Sequence, residues 1–405
     1  MKAFHHRIRR ICACLVGVVF VLAGLFKLLD PVGAGLVVGE YYKFLHLSFL
    51  LPTAKGVAVG LALFEALLGA ALISGIWRKP VAILTCAMVV LFTLLTLVLA
   101  IVNPPMDCGC FGEAIHLSNP ATFLKNLGLL ALSCIAFLPF KDFGGNRNRK
   151  YVSFGLVAAG FVLFTIRSLS GIPERDFTVF SPGAELFAAT DNPVDPEEGY
   201  EATFIYEKNG QKGAFTLDRL PDSTWTYVRT ETVRKKGLEN EATPVLSFTD
   251  SAGVYQDELA ARGNVLAASV YAPGKLKGDS WTKIADLLDG ASAAGFTPLL
   301  LVAAGREGIA GLPAIVPEVR SRLSARTYFA DYKTLVTLNR SNGGATWFSD
   351  GQLITKYPLG RLPSREKLLQ MTGDDATEVM LHDSTRSRIR FDTFLLYTFG
   401  VLWLL

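Results

Sequence analysis

Five apolar runs of 16 to 22 residues occupy most of the first 170 positions: Ile11–Leu29, Ala54–Ile73, Val81–Val102, Thr122–Phe140 and Tyr151–Ile166. A 19-residue run is about 28 Å long as a helix, close to the ~30 Å hydrocarbon core of a bilayer. Such runs must pair every backbone N–H and C=O within themselves, so they are expected to cross a membrane as helices. The first run follows basic residues and has the outline of a signal peptide. It ends Phe26-Lys27-Leu28-Leu29-Asp30-Pro31, with no small-residue cleavage site, and is expected to be a span instead.

Basic residues alternate along these runs. Lys2, Arg7, Arg9 and Arg10 precede the first, Arg78 and Lys79 separate the second from the third, and Lys141, Arg147, Arg149 and Lys150 separate the fourth from the fifth. Lys/Arg-rich loops stay on the cytoplasmic side. The expected protein is therefore a multi-pass protein of the inner membrane with a cytoplasmic N-terminus, residues 1–10. The loop Asp30–Thr53, the loop around Cys108 and everything after the fifth run then face the periplasm. A net charge of +4 over 405 residues gives no reason to expect nucleic acid.

Several ionisable side chains fall within the spans or at their ends. Lys27 lies near the outer end of the first, with Asp30 just beyond it, and Lys125 opens the fourth. Glu65 lies about 16 Å down the second, near the bilayer midplane. Charges at such depth are costly and normally pair inside the bundle. Lys27 and Lys125 can snorkel to the interface, and Glu65 can be a neutral structural carboxyl. The functional alternative sets Glu65 and a lysine beneath the loop Asp107-Cys108-Gly109-Cys110-Phe111-Gly112.

That loop holds two of only six cysteines. Gly109 lets the backbone bend to bring both sulfurs together. A disulfide closing so small a ring is strained, and strained disulfides are readily reduced. Dithiol exchange is the leading reading. A structural disulfide pinning the loop, and Cu(I) or Zn binding by Cys108, Cys110 and His116, remain alternatives. Cys12 and Cys14 point to opposite faces of one helix, and Cys86 and Cys134 offer no obvious second pair. Chemistry is thus expected at the outer face, with a quinone as the one cofactor to consider.

Beyond the spans, residues 171–262 are expected to be β-rich, with strands at Glu201–Tyr206, Gly213–Leu217 and Asp222–Val228 and a turn at Asn209-Gly210. Residues 263–375 alternate differently. Strands are expected at Val265–Tyr271, Thr297–Ala303, Arg326–Ala330, Gly344–Ser349 and Leu353–Tyr357. Helices fall at Ser280–Ala294, Pro317–Leu323, Lys333–Asn339 and Ser364–Met371. This order implies a thioredoxin-like α/β domain. It lacks a CxxC, since Tyr271-Ala272-Pro273-Gly274-Lys275 follows the first strand. It also lacks the usual proline, because Asn342-Gly343-Gly344-Ala345 precedes the hairpin. A lid, scaffold or docking surface is expected rather than a second redox centre. The run Thr393–Leu405, 13 residues, is too short to span alone and is read as a possible partial anchor.

Gly24-Leu25-Phe26-Lys27, Asp30-Pro31, Glu65 with Gly69, Asp107–Gly112 and Lys125-Asn126 together resemble the MauE branch of the DoxX-like membrane proteins. The resemblance covers residues 11–140 as a four-helix DoxX/MauE-like membrane domain. Residues 151–170 add a fifth transmembrane helix, and 393–405 a C-terminal membrane segment. Phe204–Gly210 and Pro221–Thr226 fit a longer variant with a cysteine-free thioredoxin-like periplasmic region. The resemblance implies a redox-associated membrane protein that supports oxidation or maturation of envelope proteins, working with an envelope protein or a periplasmic oxidoreductase. Lys27, Asp30, Glu65, Cys108, Cys110 and Lys125 carry over as its motif positions. A non-catalytic scaffold subunit of an envelope complex is the alternative.

Overall fold

A computed structural model describes residues 2–104, 106, 108–139, 148–169, 171–186, 200–208, 211–216, 219–222, 224–234, 246–304, 309, 312 and 314–404. The expected Asn209-Gly210 turn, Lys141, Arg147 and the side chains of Asp107 and Arg149 lie outside the described residues. The chain divides into two compact units, Met1–Arg175 with Ser387–Leu405, and Asp176–Arg386.

The first unit is helical: α1 Lys2–Leu29, α2 Pro31–Phe44, α3 Ala54–Ser74, α4 Arg78–Val102, α5 Asn119–Phe137 and α6 Asn148–Leu169. All but α2 are long and apolar enough to cross a membrane. Leu91, Leu94, Leu124 and Leu163 are each more than half exposed, the pattern of a multi-pass protein whose outer face meets lipid tails. Between α1 and α3 the backbones nearly touch. A Cβ on Gly24 would lie 2.5 Å from the Ala62 carbonyl oxygen, and one on Gly69 would lie 2.6 Å from that of Gly17. Small residues permit this approach where no hydrophobic force separates helix from lipid. The helix α5 packs on α1 and α4, while α6 packs on α1 and α3.

Two expectations need correction here. The loop expected at Asp30–Thr53 is mostly helix, α2 followed by a 3₁₀ turn at Ser48–Thr53. The signal was present: Asp30 accepts the Gly33 N–H at 2.9 Å as N-cap, and Pro31 opens the helix, where its missing N–H costs nothing. The run Thr393–Leu405 is also not a separate short element. It is the end of α11, Ala376–Leu404, whose first half is charged and was not expected to be helical. In the membrane unit Ser153 Oγ donates to the Val401 carbonyl at 2.7 Å, tying α6 to that helix.

The second unit contains two sheets. The strands β1 Tyr200–Lys208, β2 Gln211–Thr216 and β3 Thr226–Arg234 form an antiparallel sheet of order β2-β1-β3. The larger sheet, of order β4-β7-β6-β5-β8-β9, contains β4 Phe248–Thr249, β5 Asn264–Val270, β6 Thr297–Val302, β7 Thr327–Ala330, β8 Gly344–Ser349 and β9 Gln352–Tyr357. The strands β5, β6 and β7 run parallel, while β8 and β9 return antiparallel. Asp350 and Gly351, both at positive φ, make the tight turn between them.

Period-two alternation sends Val265 and Ala267 to one face of β5, and Leu266, Ala268 and Val270 to the other. The helices α7 Gly278–Ala293, α8 Pro317–Ser324 and α10 Arg365–Met371 cover the latter face through Trp281, Ile284, Val319 and Leu368. On the former pack α9 Tyr332–Leu338 and the flanking residues Phe180, Leu186, Leu246 and Phe248. Residues 183–186 also hydrogen-bond along β9, with Gly183 N donating to Leu353 O at 2.7 Å.

Candidate functional site

The helices α1 to α5 and the cysteine loop meet at the end of α1 that carries Lys27. Two residues before that end, packing of α1 against α3 brings Lys27 to Glu65. The ammonium donates to both carboxylate oxygens, at 2.9 and 2.7 Å. Glu65 is 2% exposed and Lys27 14%. Charged side chains at such depth normally pair inside the bundle, and this contact has that geometry. Lys27 also lies 5.9 Å from the Phe92 ring centre on α4.

The cysteine loop sits above this pair. Gly109 has φ +63°, and a Cβ there would meet Val37 of α2 at 2.5 Å. Gly112 has φ +58° and lies against the Phe26 carbonyl. Glycine alone accepts both demands at Gly109, the left-handed backbone and the close approach. The bend sets Cys108 Sγ 2.8 Å from Cys110 Sγ. Tyr41 of α2 donates its hydroxyl to the Cys108 carbonyl at 3.0 Å. Phe111 packs edge-on against Phe26 at 6.4 Å between ring centres. Lys125 of α5 lies 4.7 Å over the Phe111 ring, and its positive charge reaches Cys110.

These neighbours divide the two thiols. The hydrogen bond from the Cys108 thiol lowers the Cys110 pKa, and the positive charges of Lys125 and Lys27 lower it further against the cost of burial. The same hydrogen bond and burial push Cys108 upward. Burial also raises Tyr41, keeping its hydroxyl protonated as a donor. These directions favour the thiolate on Cys110 over Cys108. A thiolate is the nucleophilic form.

Of the residues expected from sequence, Lys27, Glu65, Cys108, Cys110 and Lys125 come together here. Asp30 acts one step away, as the buried cap that starts α2 and so positions Val37 and Tyr41. His116 is exposed and lies 3.8 Å from Glu113. Among the described residues, no group of three His, Cys, Asp or Glu side chains is placed to hold a metal ion. Asp107 lies outside the described residues. Asn126, next to Lys125, donates to Phe92 O at 3.3 Å and Thr96 Oγ1 at 3.1 Å, locking α5 to α4. Sequence reasoning missed Tyr41, and it quoted Phe26 and Phe111 within the motifs without giving either a role. The capping signal at Asp30-Pro31 would have found the helix that carries Tyr41. Cys86 and Cys134 are also nearer than their sequence separation suggested. Antiparallel α4 and α5 bring them within electrostatic reach of each other, though Cys134 faces outward.

Residues 6–139 match the family model described as Methylamine utilisation protein MauE. Residues 200–236 match a second model, described as Domain of unknown function (DUF8463). No curated protein and no solved structure gives a significant match. The first match spans the helices that build the cysteine site and agrees with the resemblance drawn from the motif residues.

Proposed function

We propose that the chain is a thiol–disulfide exchange protein of the cell envelope, with Cys108 and Cys110 as the exchanging pair. The observation that carries this reading is the 2.8 Å sulfur pair, with the positive charges of Lys125 and Lys27 acting on Cys110. In the reducing direction, the Cys110 thiolate attacks one sulfur of a partner disulfide. The Cys110–partner bond forms, the partner S–S bond breaks, and the second partner sulfur leaves as thiolate. The Cys108 thiol passes its proton to the partner thiolate already released and attacks the Cys110 sulfur, and the first partner sulfur leaves as thiolate. The partner is reduced by two electrons and the pair becomes a disulfide. Run backward, the Cys108–Cys110 disulfide oxidises a partner dithiol. The match of residues 6–139 to a family model named for methylamine utilisation supports a membrane redox-associated role.

The alternating basic segments support an inner-membrane protein with a cytoplasmic N-terminus and the cysteine loop facing the periplasm. The order β7-β6-β5-β8-β9, with three parallel strands and an antiparallel hairpin, supports a thioredoxin-like assignment for the second unit. Its loops argue for a binding or scaffold role there. Asn342 clasps the Ala272 backbone from both sides, accepting its N–H at 3.0 Å and donating to its carbonyl at 2.9 Å. A clasp occupies the place where a reactive pair would follow β5.

The test is capture of a mixed disulfide. With Cys108→Ser, the Cys110 adduct should accumulate on an envelope protein and dissolve on reduction. With Cys110→Ser it should not form. Full function of the double serine variant in cells would sink the exchange reading and favour the scaffold.

A further inference from the structure

At the other end of α1, 18 residues from Lys27 and thus about 27 Å away, lies a second polar feature. A cleft of about 560 Å³, open mouth included, is lined by His6, Arg9 and Arg10 of α1 and by Arg78 of α4. Its other walls are apolar and include Ile76, Val81 and Phe137. No Asp or Glu is among the described residues that line it.

The arginines are held in place by backbone. Arg9 Nε donates to Ala136 O at 2.9 Å and its Nη2 to Phe137 O at 3.2 Å, at the end of α5. Arg10 Nη1 donates to Leu72 O at 2.8 Å, and Nη2 to Ile73 O, at the end of α3. Arg78 Nε donates to Gly75 O at 3.1 Å. Gly75, at φ +74°, leaves room for Arg10; a Cβ there would lie 2.8 Å from Nη1. Capping accounts for part of the charge. Each helix C-terminus carries roughly half a negative charge, and the start of α4 carries roughly half a positive one. The helix C-termini offset part of the guanidinium charge. A cleft lined by three guanidinium groups, with apolar walls and no Asp or Glu among its described lining, fits an anion that also carries hydrocarbon.

We propose that this cleft binds a phosphate group, presented by an anionic phospholipid. The guanidinium groups take the phosphate oxygens, as planar forks do well. The apolar wall takes the first part of an acyl chain. Basic pockets between spanning helices bind lipid phosphates in this manner. The site is independent of the cysteines and needs no redox step.

The experiment uses the full chain purified in a non-ionic detergent, with three probes: short-chain phosphatidylglycerol, short-chain phosphatidylcholine and inorganic phosphate. Binding is read by native mass spectrometry and by the shift in thermal unfolding. Phosphatidylglycerol should bind and stabilise, and phosphatidylcholine should not. One lost charge-assisted contact is worth roughly tenfold in affinity, so Arg78→Gln should weaken phosphatidylglycerol about tenfold. Arg10→Gln removes a cap on α3 and can unfold the bundle. Arg78→Gln and His6→Gln are therefore the deciding variants, with Cys110 alkylation at the far end as the check on folding. Inorganic phosphate that stabilises as much at equal concentration would keep the phosphate site and assign it to a free anion. Equal binding of phosphatidylcholine, or an Arg78→Gln variant that folds and binds as wild type, would overturn the proposal.

Discussion

Two buried lysine–carboxylate pairs, one in each unit, have nearly the same geometry and different surroundings. Lys27–Glu65 closes at 2.7 Å with side chains 14% and 2% exposed, while Lys356–Asp176 closes at 2.6 Å with side chains 4% and 8% exposed. Asp176 also accepts the Thr178 N–H at 2.9 Å, and Lys356 projects from β9. That pair ties a flanking segment to the sheet edge, and no thiol lies in its unit. Lys27 acts on Cys110. Burial of an ion pair therefore does not itself mark a site. What marks one is a titratable neighbour whose charge state the pair can set.

The largest effect expected is on the pair of sulfurs. Cys110→Ser should abolish exchange altogether, because it removes the sulfur whose thiolate the neighbouring charges favour. Cys108→Ser should leave the first attack intact and block resolution. Stopped-flow reaction with a small aromatic disulfide separates the two steps. Equal first-step rates in Cys110→Ser and wild type would mean the nucleophile has been misassigned.

Next comes the other ion pair. Removing one partner of a buried pair strands a charge, at a cost of about 3–5 kcal/mol. Asp176→Asn should destabilise its own unit by that order, read from the near-ultraviolet circular dichroism of buried Trp281 and Trp347. The pH profile of Cys110 alkylation should stay where it is in the wild type. A shifted thiol profile would break the contrast between the two pairs.

The sequence made some of this legible and hid the rest for physical reasons. The spans were readable because hydrocarbon forces long apolar helices, and the α/β alternation because β5 to β9 and their helices keep strong period-two and 3.6-residue patterns. The motif residues were readable as types, but their partners were not. Nothing local says that Gly24 and Gly69 let α1 and α3 close up, the contact that brings Lys27 to Glu65. Residues Asp30 to Thr53 read as a loop because Gly33, Gly35 and Gly39 dilute the helical pattern, although the cap was there to see. The charged start of α11 hid a helix whose apolar end looked too short alone. Asn342 could be read as a missing proline, but not as the clasp on Ala272 that takes its place.

A third effect is smaller and sharpens the geometry of the cysteine loop. A left-handed backbone costs a non-glycine residue about 1–3 kcal/mol, and a Cβ at Gly109 would also press on Val37. Gly109→Ala should therefore slow closure of the Cys108–Cys110 disulfide by roughly tenfold or more. Adding Val37→Ala should recover only part of the rate, because it relieves the contact and not the φ. Complete recovery would mean that the backbone angle is unimportant. No change in Gly109→Ala would mean that the loop reaches its closed form by another route.

The smallest effect tests the comparison most directly. Glu65 neutralises Lys27, and Lys27 lowers Cys110 through space. Glu65→Gln keeps the shape and removes the counter-charge, so Cys110 should feel more positive field and its thiol pKa should fall. Lys27→Met should move it the opposite way. One pKa unit corresponds to about 1.4 kcal/mol, within reach of one altered charge in a site of low dielectric. The measurement is the rate of iodoacetamide labelling of Cys110 against pH, with Cys108 replaced by Ser in every sample so that one thiol is read. That background removes the Cys108 hydrogen bond equally from all, leaving the lysines as the variable. Labelling follows the thiolate, so Glu65→Gln should move the half-maximal pH down by about one unit, and Lys27→Met should move it up. Thermal unfolding is recorded alongside. Coincident profiles in all three proteins, with stability lost in both variants, would make Lys27–Glu65 a structural tie like Lys356–Asp176.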